Sequence, residues 1–152
     1  MAGKVKPVPD GFHTATPYLI VKGAAKAIEF YKQAFGATEL ERMEMPDGKI
    51  AHAEIKIGDS IIMLGDEAPQ HGTRSPQSLG GSPCGLYLYV EDVDATFNRA
   101  ISVGATVTMA VRDQFYGDRN GSLVDPFGHT WYVATRKENL SMDEIRQRVP
   151  AA

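Results

Sequence analysis

Tyr18-Leu19-Ile20-Val21 and Tyr87-Leu88-Tyr89-Val90 share one pattern, and Gly36-Ala37-Thr38 returns as Gly104-Ala105-Thr106. The two offsets are 69 and 68 residues, so order and spacing agree to within one deletion. Recurrence at a fixed interval marks a duplicated supersecondary unit. The flanking sequence supports the duplication independently. Thr16 precedes Pro17, which biases it to extended geometry, and the stretch to Val21 is β-rich. Ala24, Ala27, Ile28, Tyr31 and Phe35 then recur at helical spacing, with Gly36 placed to end the helix. In the second half Leu86 to Val90 reads as a strand. Asp92 reads as an N-cap, and Val93, Phe97, Ala100 and Ile101 form an apolar stripe before Gly104.

Strands complete each half. Thr38 to Met45 is closed by the turn Pro46-Asp47-Gly48. Ile50 to Ile57 alternates, with Ala51, Ala53, Ile55 and Ile57 on one face and His52, Glu54 and Lys56 on the other. Gly58-Asp59 leads into Ser60 to Leu64. The second half continues Thr106 to Val111, Ser122 to Asp125, the turn Pro126-Phe127-Gly128, and Thr130 to Ala134. The expected fold class is α+β, a tandem pair of βαβββ modules within a single domain. Module 1 covers about 14–66, a Gly-, Pro-, Ser- and Gln-rich linker about 67–84, module 2 about 85–136 and a tail 137–152. Ser141-Met142-Asp143-Glu144 is a capping-box pattern, so the tail is expected to hold one short helix running up to Pro150.

Composition narrows the function classes. The chain has 152 residues, 43% hydrophobic and 23% charged, with a net charge of −3, as for an ordinary globular domain. An acidic balance without a Lys/Arg block carries no footprint for nucleic acid or an anionic membrane. No apolar run approaches the ~20 residues of a membrane span, and no apolar leader follows Met1, so a cytoplasmic protein is expected. The single cysteine, Cys84, excludes an internal disulfide and any multi-cysteine metal site.

The duplicated βαβββ pattern, with Asp125-Pro126-Phe127-Gly128-His129-Thr130-Trp131 before the last strand, resembles the vicinal-oxygen-chelate superfamily over roughly residues 14–136. That superfamily includes glyoxalase I, bleomycin-resistance proteins and extradiol dioxygenases. Tyr18-Leu19, Ile50-Ala51-His52-Ala53, Ile62-Met63 and Gly117-Asp118-Arg119 resemble its PhnB-like branch in particular. The resemblance implies two modules forming a curved, half-barrel mixed sheet, helices on the convex face and a small-molecule site in the concavity. It also implies that two copies of the chain pair as a homodimer. Metal-dependent members take ligands from the first and last strand of each module. Carried over, those positions are Thr16, Ile62 or Met63, Gly85 and Tyr132. Zinc, nickel, iron and manganese favour imidazole, carboxylate or thiolate, so no metal and no cofactor is expected. His52 and Glu54 form an i, i+2 pair that lacks a third ligand in the sequence.

If Thr16 and Gly85 face the concavity, strand parity sends Tyr18, Ile20, Tyr87 and Tyr89 there too. If Tyr132 faces in, Trp131 and Val133 face the helices. Met63 joins the same lining. Aromatic walls with hydroxyl tips suit a flat or amphipathic organic ligand; the bland alternative is that these tyrosines only fill a closed core. His52 and Glu54 could act there as an acid/base pair, or simply form a solvated strand face. Phe115, Tyr116 and Arg119 suggest a loop closing over the ligand, with Arg119 gripping a carboxylate or phosphate, unless Asp118 and Arg119 form a structural ion pair. Asp125 reads as a turn-former and Cys84 as inert. Three functions fit: a metal-independent protein that sequesters a small organic molecule such as an antibiotic or metabolite, a metal-independent lyase or isomerase using His52 and Glu54, and a non-catalytic structural or sensor domain.

Overall fold

The structure is a computed structural model that describes residues 3–151. Module 1 contains β1 (Tyr18–Val21), α1 (Ala24–Phe35), β2 (Thr38–Glu44), β3 (Ile50–Ile57) and β4 (Ser60–Asp66). A single-turn helix, α2 (Pro76–Leu79), lies between the modules. Module 2 contains β5 (Gly85–Tyr89), α3 (Val93–Ser102), β6 (Thr106–Asp113), β7 (Asp118–Val124) and β8 (Thr130–Arg136), and α4 (Met142–Arg148) follows. The duplication is therefore real: both halves run β-α-β-β-β.

Each module builds its own four-stranded mixed sheet, in the order β1-β4-β3-β2 and β5-β8-β7-β6. The β1–β4 and β5–β8 pairs are parallel and the rest antiparallel. The sheets are open, and β1 and β5 are edge strands not laddered to each other. The half-barrel is thus two sheets rather than one continuous ladder.

Helix ends are set by local chemistry. The Asp66 carboxylate accepts the backbone N–H groups of Gly23 (2.8 Å) and Ala24 (3.0 Å) at the start of α1, and that of Ile50 (2.8 Å). Asp92 caps α3 by accepting from the Ala95 N–H, and Ser141 and Glu144 close a reciprocal capping box on α4. That last helix ends at Arg148, just before Val149-Pro150.

The helices pack against one another, and both cover the same side of their sheets. Leu19, Val21, Ala53, Ile55, Ile62, Leu64, Leu123, Trp131 and Val133 are buried beneath them. One aromatic cluster ties the modules: Trp131 of β8 lies 5.3 Å from Tyr31 and 4.8 Å from Phe35 of α1, ring centre to ring centre. At its heart is the Asp125 carboxylate, 4% exposed. It accepts the Tyr31 hydroxyl (2.6 Å), the Trp131 indole N–H (2.8 Å) and the backbone N–H groups of Phe127 (2.9 Å) and His129 (3.0 Å). The turn-former of the sequence is also the clamp between the two halves. Gly128 sits in that turn at φ +93°, and a Cβ there would stand 2.7 Å from Pro76, so glycine meets both a conformational and a steric need.

One expectation is corrected. The third strand of module 2 begins at Asp118, not Ser122. Asp118-Arg119-Asn120-Gly121 has turn-like composition, but Asp118 and Asn120 are buried with tyrosine hydroxyls as hydrogen-bond partners and the segment pairs fully with β8. The linker holds a 3-10 turn at Pro69–His71, an Ala68–Thr73 bridge and α2 capped by Ser75.

Candidate functional site

Parity on β1, β5 and β8 places the tyrosines opposite the helices. Leu19 and Val21 are buried under α1, while Tyr18, the neighbour of Leu19, is 46% exposed. Trp131 and Val133 are fully buried, and Tyr132 between them is open. Leu86 and Leu88 pack toward the core, and Tyr87 and Tyr89 stand outside it. Because α1 and α3 share one layer, the tyrosine faces of both sheets lie on the other side of the molecule.

On the first sheet a cross-strand row runs Glu41–Glu54–Met63–Tyr18, set by the β2–β3, β3–β4 and β1–β4 registers. His52, one pleat along from Glu54, hydrogen-bonds through Nδ1 to the Tyr18 hydroxyl at 3.0 Å. That contact turns Nε2 toward the carboxylates, 3.8 Å from Glu54 and 3.8 Å from Glu41. Burial raises the Tyr18 phenol above its ordinary range, so Tyr18 works as a neutral hydroxyl. Glu41 carries no distinguishing pattern in the sequence, yet it brings a third side-chain donor beside the His52/Glu54 pair. A register shift between Glu39 and Glu41 in β2 aims it at Glu54, which strand alternation alone does not reveal. The three ligating atoms lie within 4.8 Å of one another, so Glu41, His52 and Glu54 are the side chains that could hold a cation or exchange a proton.

On the second sheet the aromatics converge. Tyr87 and Tyr132 stack at 5.9 Å with 16° between ring planes, and Tyr89 lies 5.1 Å from Tyr87. The hydroxyls of Tyr87 and Tyr89 both donate to the buried Asp118 carboxylate, at 2.9 and 3.0 Å. Asn120, 2% exposed, donates to the hydroxyls of Tyr87 (2.8 Å) and Tyr116 (2.7 Å) and accepts from Gln114. Burial, reinforced by Asp118, pushes the Tyr87 phenol well above the ordinary tyrosine range and the Tyr89 phenol upward as well. Hydroxyls are thus fixed to a polar floor while ring surface stays open to solvent. Gly85 makes room for this: a Cβ there would stand 2.6 Å from the Tyr132 ring. Asp118 and Asn120, which hold the arrangement, have the composition of a loop, so the sequence alone does not point to them as buried anchors.

Arg119 does not belong to this face. It is on β7 between Asp118 and Asn120, so parity sends it to the helix side. There it clasps Asp94 of α3 through two bonds of 2.9 Å and reaches Asp113 at 3.3 Å, and the guanidinium holds the Asp94 carboxyl below its usual range. It thereby ties β7 to α3 and to the end of β6. Phe115 and Tyr116 form a tight hairpin turn rather than a closing loop, with their rings edge to face at 5.2 Å. Tyr116 still reaches the tyrosine cluster through Asn120. No hydrogen bond joins the Tyr18–His52 group to the Tyr87–Tyr89 group among the described residues.

The positions that metal-dependent members would use do not fit a metal. Gly85 has no side chain, Met63 offers only a thioether, Thr16 is a weak donor and Tyr132 is stacked on Tyr87. Of the two candidates on β4, Ile62 is buried and Met63 shares the face of Tyr18. Between the sheets a cavity of about 270 Å³ is lined by Phe12, His13, Thr16, Ile62, Gly85 and Tyr87. Phe12 and His13 precede the first strand, where no periodic pattern singles them out.

Among known proteins, the sequence profile of the glyoxalase/bleomycin resistance protein/dioxygenase superfamily matches residues 12–133. An uncharacterized protein of Mycobacterium tuberculosis is 48% identical over 134 residues, covering 86% of this chain and 79% of its own. The crystal structure of an Arabidopsis thaliana gene product superposes with a TM-score of 0.67 at 27% identity, covering 81% of this chain and 98% of that one. The PhnB protein of Bacillus cereus superposes with a TM-score of 0.64 at 19% identity, covering 81% and 99%.

Proposed function

This chain belongs to the glyoxalase/bleomycin resistance protein/dioxygenase superfamily, and we propose that it binds a small, flat organic molecule on the tyrosine-lined face of its sheets without using a metal there. The observation that carries this reading is the anchored aromatic cluster: Tyr87, Tyr89 and Tyr132 keep ring surface open while buried Asp118 and Asn120 fix two of their hydroxyls. A surface pre-ordered in this way loses little side-chain entropy on binding. Ring faces beside the Asp118 carboxylate favour a ligand carrying a positive group, through cation–π attraction. Sequestration of such a molecule, an antibiotic or a metabolite, is the activity this arrangement serves.

A thermal-shift panel of aromatic, cationic and carboxylate compounds tests the reading. Tyr87→Ala and Tyr89→Ala are expected to remove the shift produced by a hit, whereas a shift that survives both substitutions refutes the assignment. One observation favours a second reading, a metal-independent lyase or isomerase. Tyr18 orients the His52 imidazole against Glu54, as an acid/base pair requires. Turnover of a bound compound that vanishes in His52→Ala while binding persists would select it.

A further inference from the structure

The linker does more than join the modules. Together with the free edge of β1 and the start of β5 it encloses an apolar cavity of about 570 Å³, walled by Leu19, Pro76, Leu79, Pro83 and Leu86. That volume falls in the range of small-molecule sites, ~300–1,000 Å³. The cavity touches the first sheet's polar group at Tyr18, but none of Tyr87, Tyr89, Tyr132, Asp118 and Asn120 lines it, so it is separate from the anchored cluster of the second sheet. His129 fixes its inner wall by donating through Nε2 to the Ile20 carbonyl at 2.9 Å.

The charge in this cavity is specific. Arg74 is the one Lys, Arg, Asp or Glu in the lining. It makes no ion pair with a carboxylate among the described residues. The acid nearest in sequence that could serve is Glu67, and it is already engaged. It accepts the Ser75 backbone N–H at 2.7 Å and the Ser78 hydroxyl at 2.9 Å, and lies 3.7 Å from the Lys22 ammonium. In a chain of net charge −3, an apolar cavity with a single unpaired guanidinium at its mouth is complementary to an apolar molecule with an anionic head.

We infer that this cavity binds a hydrophobic carboxylate, its apolar body between Leu79, Pro76 and Leu86 and its carboxylate on Arg74. The protein supplies its own reporter. Cys84 is exposed, lines the cavity and is the only cysteine in the chain, so an occupant shields its thiol from alkylation. The experiment measures the rate of iodoacetamide alkylation of the full chain with decanoate or naphthaleneacetate, and with the neutral isostere naphthaleneacetamide. Both acids are expected to slow alkylation several-fold and the amide is not. In Arg74→Gln the acids should need at least about tenfold higher concentration for equal protection, the ratio that loss of a hydrogen bond to a charged group implies. Protection should persist unchanged in Tyr89→Ala. Three results overturn the inference: no protection by either acid up to about 10 mM, the weak end of fragment-like affinity; equal protection by acid and amide; or protection that is retained in Arg74→Gln or lost in Tyr89→Ala.

Discussion

Replacing Asp125 should be among the most damaging single changes outside the apolar core, and the size of the loss follows from its partners. The carboxylate is 4% exposed and takes four donors, two from the fully buried side chains of Tyr31 and Trp131 and two from backbone N–H groups in its own turn. Asp125→Ala also takes the acceptor from the amides of Phe127 and His129, both buried residues, so counting only the Tyr31 hydroxyl and the Trp131 indole gives a lower bound. Two buried donors left without acceptors at ~1–3 kcal/mol each give a loss of about 4 kcal/mol, a large part of the ~5–15 kcal/mol total of a typical domain. Tyr31→Phe removes one donor and leaves the carboxylate three, so it should cost about 2 kcal/mol, the range for a hydrogen bond to a charged group. The double variant should then be less destabilised than the sum of the two, by about 1 kcal/mol or more, since a phenylalanine ring has no hydroxyl to leave without an acceptor. Urea unfolding at neutral pH, followed by Trp131 fluorescence, reads all three. A loss below about 1 kcal/mol for Asp125→Ala, or strict additivity in the cycle, would refute the role given to this clamp.

Further expectations concern the two faces. Gly85→Ala should push Tyr132 off its stack on Tyr87, because the added Cβ would stand 2.6 Å from the ring; the expected readout is loss of ligand-induced thermal shift with a modest fall in Tm. Purified protein should carry well under one transition metal per chain by elemental analysis, since the side chain of Glu41, the third donor beside His52 and Glu54, is 62% exposed. About one zinc per chain that disappears in Glu41→Gln would reverse that view. Tyr31, Tyr87 and Tyr89 have folded-state pKa values above their ordinary value of 10.0. Their contribution to stability is therefore complete below about pH 10 and declines as pH rises through the folded values; ultraviolet titration should show delayed phenolate formation that becomes ordinary in denaturant. Glu67 is held at about 2 by the Ser75 amide and then the Ser78 hydroxyl, so it stabilises the linker above about pH 4.5 and that contribution is lost as pH falls toward 2. Glu67→Gln should flatten the acid limb of a stability profile.

What is legible in the sequence is whatever alternates against a buried layer. Leu19 and Val21, Leu86 and Leu88, and Trp131 and Val133 are driven under the helices, and their neighbours Tyr18, Tyr87 and Tyr132 must then point the other way. Where one face of a strand is not strongly apolar, this logic has nothing to act on. Every residue of β2 from Leu40 on is exposed, so neither its register nor the shift that swings Glu41 toward His52 leaves a trace in the hydrophobic pattern. Arg119 is hard to place for the opposite reason. Asp118 and Asn120 look like turn residues, yet tyrosine hydroxyls reward their burial and draw the segment into β7, which flips Arg119 to α3. The linker cavity depends on how Pro76, Leu79 and Cys84 fold back on β1, a long-range arrangement that no local period encodes.

If a small organic molecule binds on the tyrosine-lined face, the chain's six tyrosines report it directly. Selective labelling of tyrosine rings gives one signal set from each, with Tyr31 sealed in the core as an internal control. Titration with the strongest cationic or aromatic hit of the thermal-shift panel should move the signals of Tyr87, Tyr89 and Tyr132 together and saturably while Tyr31 stays in place. Saturable binding that leaves those three signals unmoved would contradict the account.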